Sequence, residues 1–91
     1  MEFQGAVIKE RGVTFAIVVV RESVIDDKEK TKAAMAQFQP MFPGVPVVLM
    51  AQNSLGTPIY VGRQDLVSFL QGVPLKAIPW KKYRLGPAPS S

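Results

Sequence analysis

The chain contains neither cysteine nor histidine. The first absence excludes disulfides, thiolate nucleophiles and zinc-finger ligand sets. The second removes the side chain that most often moves protons near neutral pH. Long apolar runs are lacking too. The longest, VTFAIVVV at 13–20, is interrupted by Thr14 and is far shorter than the ~20 residues needed to span a bilayer. The opening MEFQGAVIKE begins with an acid and has no basic region followed by an apolar core, so no signal peptide is expected. Together with the absence of cysteine, this predicts a cytoplasmic protein without a membrane role. Acids, finally, are missing from the whole C-terminal region. All seven lie between Glu2 and Asp65, where seven cations balance them, and the net charge of +4 comes from Lys76, Lys81, Lys82 and Arg84.

What remains is ample for a core. Hydrophobic residues make up 47% of 91 residues, which suits one small domain over 1–86, with GPAPSS predicting a disordered tail at 87–91. EFQGAVIKE reads as a strand near a sheet edge, where Gly5 weakens the strand or marks a bulge, and ERG at 10–12 follows as a turn. VTFAIVVV is apolar at both odd and even positions, as a central strand covered on both sides requires. The two predict an antiparallel hairpin.

In VIDDKEKTKAAMAQFQP, Asp26 or Asp27 can cap a helix, and Glu29 stands three residues after Asp26, as in a capping box. Thr31, Ala34, Met35, Phe38 and then Phe42 form its apolar side. PVVLMAQ is a second central strand, NSLG a turn, and TPIYVG a partner strand that Pro58 keeps towards an edge. RQDLVSFLQG is a second helix, with Leu66, Phe69, Leu70 and Val73 at helical spacing.

The order β-β-α-β-β-α specifies an α+β protein. A right-handed crossover makes the strands of VTFAIVVV and PVVLMAQ parallel, giving a mixed sheet of about four strands with two helices on one face. Both central strands are apolar on two sides, and that layout covers one side. The C-terminal segment or a partner subunit must supply the rest, and a homodimer through the open face is the expectation.

Over residues 13–73 the chain resembles a thioredoxin-like domain. FAIVVV and the following helix stand in the expected order. Gly44-Val45-Pro46 then enters an apolar strand, a short turn follows at Asn53, and a return strand ending Val61-Gly62 leads to an amphipathic helix. The resemblance implies a cis Pro46 and a backbone at Val45 open to a peptide or thiol ligand. The family's Cys-x-x-Cys is missing, which excludes its redox chemistry, and its first strand and helix have no room. Read from the residues alone, Pro46 is a trans proline at a strand's first position. PVVLMAQNSLGTPIYVGRQDLVSFL and PLKAIPWKKYRL also resemble small uncharacterised bacterial proteins, some of them carried on mobile elements such as integron gene cassettes; that resemblance carries no function.

Catalytic patterns are scarce. Asp26 and Asp27 are adjacent, so their side chains diverge on a helix, and Ser23, Ser54 and Thr57 have no histidine to activate them. No glycine pattern matches a phosphate loop. Neither a metal site nor a cofactor is expected. The strongest binding candidate is Trp80-Lys81-Lys82-Tyr83-Arg84, where rings can stack on bases and cations can meet phosphates. In the alternative reading Trp80, Tyr83 and Leu85 pack on the sheet and the cations stay solvated. Val45, Pro46, Tyr60 and Arg63 are candidates for a small pocket. The sequence thus points first to a non-catalytic interaction module, partnered with itself or another protein through the apolar sheet face and the C-terminal arm. A nucleic-acid-binding accessory protein comes second, and a small enzyme of unknown reaction third.

Overall fold

Strands β1 (Glu2–Glu10) and β2 (Val13–Val19) form the antiparallel hairpin that the sequence specifies, with Glu10 opposite Val13. The connection is Arg11-Gly12, with φ of 49° and 81°. Two successive positive φ values give the turn whose twist matches that of the strands. This chain and its folding are described by a computed structural model over residues 2–84; the expected tail at 87–91 and Leu85 lie outside the described residues.

After β2 the chain makes a short helix α1 (Glu22–Ile25) and the longer α2 (Lys28–Phe38). Asp27 begins α2 by accepting hydrogen bonds from the N–H groups of Glu29 (2.9 Å) and Lys30 (3.3 Å). The cap is therefore Asp27, and the capping box built on Asp26 and Glu29 is not the arrangement adopted. Thr31 Oγ1 donates to the Val24 carbonyl (2.8 Å) and ties the two helices together.

Strand β3 (Val47–Gln52) lies parallel to β2, with Ala16 opposite Val47 and Val19 opposite Met50, as the crossover requires. Strand β4 (Pro58–Val61) returns antiparallel to β3 and is an edge strand, in keeping with its Pro58. Helix α3 (Gln64–Gln71) follows.

Besides the short helix α1, which makes three helices rather than the expected two, two features depart from the expected layout. The first is a fifth strand, β5 (Lys81–Arg84), which pairs antiparallel with β1 and gives the sheet order β4-β3-β2-β1-β5. The sheet thus has five strands rather than four, and β1 is an interior strand rather than an edge. Gly5 marks no break. It is buried, facing Val18 on one side and Lys81 on the other.

The second departure concerns the helices. Side chains alternate along a strand, and here the alternation sorts them into two clusters. Phe15, Ile17, Val48 and Met50 pack with Leu66, Val67 and Leu70 of α3 and with Ile78. Ala16, Val18, Val47 and Leu49 pack with Ala34 and Phe38 of α2, with Phe42 and with Phe3. The helices therefore press on opposite faces, and the chain itself covers both sides of its central strands. The two-sided apolar pattern of the central strands is met within the chain, and the expected open apolar face is not found among the described residues. Each fully buried side chain among Phe15, Ile17, Leu49 and Leu70 contributes roughly 1.5 to 3 kcal/mol by leaving water.

Candidate functional site

The segment that carries the chain's excess charge is also the segment that closes the sheet. Past α3, Pro74 opens a tight turn at Leu75–Ala77, fixed by the Ala77 N–H donating to the Pro74 carbonyl (2.9 Å). Trp80 then donates its indole Nε1–H to the Leu75 carbonyl (2.9 Å), and its ring packs against the α3-side cluster. Tyr83 falls on the opposite face. It stacks on Phe3 with ring centres 5.3 Å apart and planes inclined by 15°, and it meets the Phe42 ring edge-on at 5.4 Å.

Both aromatic residues of the arm are thus committed to packing, as in the alternative reading of the sequence. Both rings are partly buried. The cations are different. Lys81, Lys82 and Arg84 are exposed and form no ion pair among the described residues. The pleat places Lys82 and Arg84 on the α3 side of the strand and Lys81 beside Tyr83. The outer edge of β5 has no strand beside it among the described residues.

None of Val45, Pro46, Tyr60 and Arg63 lines either of the two cavities described below. The peptide before Pro46 is trans, since no cis bond occurs among the described residues. The Val45 backbone is already occupied. Its N–H donates to the Phe42 carbonyl (3.1 Å), and its carbonyl accepts from Gln39 Nε2 (2.7 Å). The Pro46 carbonyl accepts from the Ala16 N–H (2.9 Å). The ligand-accepting backbone implied by the thioredoxin-like resemblance is spent inside the chain.

Tyr60 is buried opposite Met50 on the α3 side. Arg63 is exposed at the start of α3 and grips Asp65 through two hydrogen bonds of 2.9 and 2.7 Å. That grip holds the Asp65 carboxyl down at about 2, from an ordinary 3.8. The pair's contribution is present above the ordinary value and fades as pH falls towards 2. Exposure to solvent keeps it small.

Tyr60 offers a sharper test. Its hydroxyl is buried with no hydrogen-bond partner among the described residues. Tyr60→Phe is therefore expected to raise stability by about 1 to 3 kcal/mol at neutral pH, the usual cost of a buried unpaired polar group. Burial raises the phenol's pKa above the ordinary 10.0, so above that pH the unfolded chain gives up a proton that the folded chain keeps. Stability falls as pH rises through this range, and the phenylalanine variant should lose that part of the decline. Denaturant titrations of both proteins, at neutral pH and above the ordinary tyrosine pKa, read both effects. No gain, together with an unchanged alkaline slope, would contradict the burial described here.

One feature had almost no signal in the sequence. A cleft of about 590 Å³ opens at the carboxyl end of β2 between Phe3, Val20, Arg21, Val24, Ala34 and Phe38. Only the cation ending the VVVR run hinted at it. A second cavity, of about 510 Å³, lies between the β1–β2 turn and the start of α3. The described residues contain no cluster of three or more acidic, histidine or cysteine side chains that could hold a metal ion. No helix among them is long and apolar enough to cross a membrane. No protein-family model, no curated protein and no solved structure matches the chain.

Proposed function

We propose that this protein is a non-catalytic interaction module that captures an acidic, extended segment of another protein along the outer edge of β5. The observation that carries this reading is a four-residue edge strand bearing three unpaired cations, set in place by two packed aromatic rings. An antiparallel edge presents N–H and carbonyl groups at alternate residues. A guest strand satisfies them, and its side chains supply selectivity.

The charge indicates the kind of guest. Acids at alternate positions would face Lys82 and Arg84 on one side, with Lys81 on the other. A second copy of the chain suits this edge poorly, because pairing β5 with itself sets cations against cations. The homodimer expected from an open sheet face has lost that face as its basis. Nucleic acid would meet the same cations, but with Trp80 and Tyr83 already engaged in packing the stacking that strengthens single-strand binding is reduced.

A fluorescent peptide of alternating Glu and Val tests the reading, alongside the Lys–Val counterpart, a proline-interrupted Glu–Val version and oligothymidine. Only the uninterrupted acidic peptide should bind, and more weakly as salt rises. The Lys81→Glu, Lys82→Glu, Arg84→Glu triple variant should lose about tenfold or more in affinity, each exposed contact being worth up to ~1 kcal/mol. Preference for oligothymidine would favour the nucleic-acid reading. If no probe binds, the cations serve only to keep the edge free of other strands.

A further inference from the structure

We propose that the cleft at the carboxyl end of β2 is a binding site for a small carboxylate with an apolar body, held by Arg21. Three independent observations converge there. The first is place. The cleft opens where β2 ends and the crossover begins, between the end of that strand, the start of β1 and the helices α1 and α2.

The second is shape. The cleft's roughly 590 Å³ falls in the range of small-molecule sites, about 300 to 1,000 Å³. Its walls are fixed. The Val20 N–H donates to the Met50 carbonyl (2.8 Å), the Val24 N–H donates to the Arg21 carbonyl (3.0 Å), and Thr31 locks α1 to α2. Phe3 and Phe38 meet at 4.9 Å and form an aromatic floor. Space exists because α2 presents Ala34, a small side chain, where a larger one would fill the gap.

The third is polarity. The lining is mixed: six apolar side chains stand with Glu2, Gln4, Gln37 and Arg21, and Arg21 is the one cation among them. Arg21 forms no ion pair among the described residues, and its side chain caps no helix. Glu2 is the one acid of the lining, and it forms no ion pair with Arg21 among the described residues. An apolar floor with one free guanidinium above it matches an anionic head on a ring or short alkyl body. The second cavity makes a weaker case, because its Asp65 is already held by Arg63 and its Arg11 lies 3.6 Å from Glu10.

The probes are hydrocinnamate and its neutral amide, followed by amide proton and nitrogen shifts of the whole chain. Hydrocinnamate should give saturable shifts centred on the start of β1, the end of β2 and the facing turns of α1 and α2. Arg21→Gln should weaken hydrocinnamate about tenfold, as for loss of a charged hydrogen bond, and leave the amide's affinity unchanged. Ala34→Leu should abolish binding of both probes while keeping the wild-type spectrum elsewhere. Should that variant misfold, the surface change at Arg21 still decides the matter. Lys81→Glu with Lys82→Glu should leave hydrocinnamate binding intact, which separates this site from the β5 edge. Absence of saturable shifts, equal affinity of the Arg21→Gln variant, or shifts centred on the β5 cations would each overturn the assignment.

Discussion

Phe3→Ala is expected to be among the most damaging single substitutions in this chain, at about 3 to 5 kcal/mol, the usual cost of removing a core phenylalanine ring. The ring is 7% exposed, and it meets Phe38 at 4.9 Å, Tyr83 at 5.3 Å and Phe42 at 6.5 Å. It joins three parts of the chain that nothing local connects: the first strand, the end of α2 and the last strand. Domains of this size have a total stability of roughly 5 to 15 kcal/mol, and each kcal/mol moves Tm by about 4 to 8 °C. A fall in Tm of roughly 15 °C or more should follow. Loss of the ring also removes the platform under Tyr83, so amide exchange over Lys81–Arg84 should rise far more than over Val47–Gln52. Phe15→Ala, on the other face of the sheet, should destabilise comparably without singling out β5. A Phe3 variant that lost less than about 1 kcal/mol, with β5 exchange unchanged, would contradict this picture of the arm.

Gly5→Ala should be the second large effect. A Cβ at Gly5 would lie 2.7 Å from the Ile17 carbonyl oxygen and 3.3 Å from the Tyr83 ring. The ring can move, but the carbonyl cannot without parting β1 from β2, because Gly5 sits between Val18 and Lys81 in the ladder. Overpacking of this kind costs about 1 to 3 kcal/mol, and a backbone obstacle places it at the upper end. Adding Tyr83→Ala should relieve only the ring's share, so Gly5→Ala should still be destabilising in that background. A Gly5→Ala protein as stable as the parent would mean that the β1–β2 register differs from the one described.

Much of the fold was legible because it follows from local chemistry. Val, Ile and Phe at successive positions of 13–20 specify a strand buried on both sides, and both sides are buried. Pro58 predicted an edge strand because proline cannot donate to a ladder, and β4 is one. Of the side Thr31, Ala34, Met35, Phe38 and Phe42, the residues Ala34, Phe38 and Phe42 are buried and Thr31 and Met35 half-buried, as the spacing required. The failures share a different cause. Lys81-Lys82-Tyr83-Arg84 has little apolar alternation of its own, and it becomes a strand because β1 offers it a free edge and Phe3 offers Tyr83 a ring. Of the two caps the sequence offers, Asp26 and Asp27, the chain uses Asp27, and the choice depends on where α1 ends.

The candidate site was legible in its residues but not in their roles. Charge placement identified Lys81, Lys82 and Arg84 from composition alone. The same stretch suggested that Trp80 and Tyr83 act with them, and packing separates the two groups. Val45 and Pro46 stood out by order along the chain, yet their backbone groups are consumed by Gln39, Phe42 and Ala16. The cleft at Arg21 was nearly silent, since its walls come from β1, β2, α1 and α2 and no short window contains them.

By itself, then, the sequence determined which chemistries are absent, the two-sided burial of β2 and β3, the β-β-α-β-β-α order and the place of the excess charge. Each of these follows from residue type or from spacing within one element. Tertiary structure alone decided that α2 and α3 lie on opposite faces, that β5 makes β1 an interior strand, and that both faces of β2 and β3 are covered among the described residues. Those outcomes depend on contacts between residues as far apart as Phe3 and Tyr83. Such contacts are selected by the burial available to the whole chain, not by any preference a short segment carries.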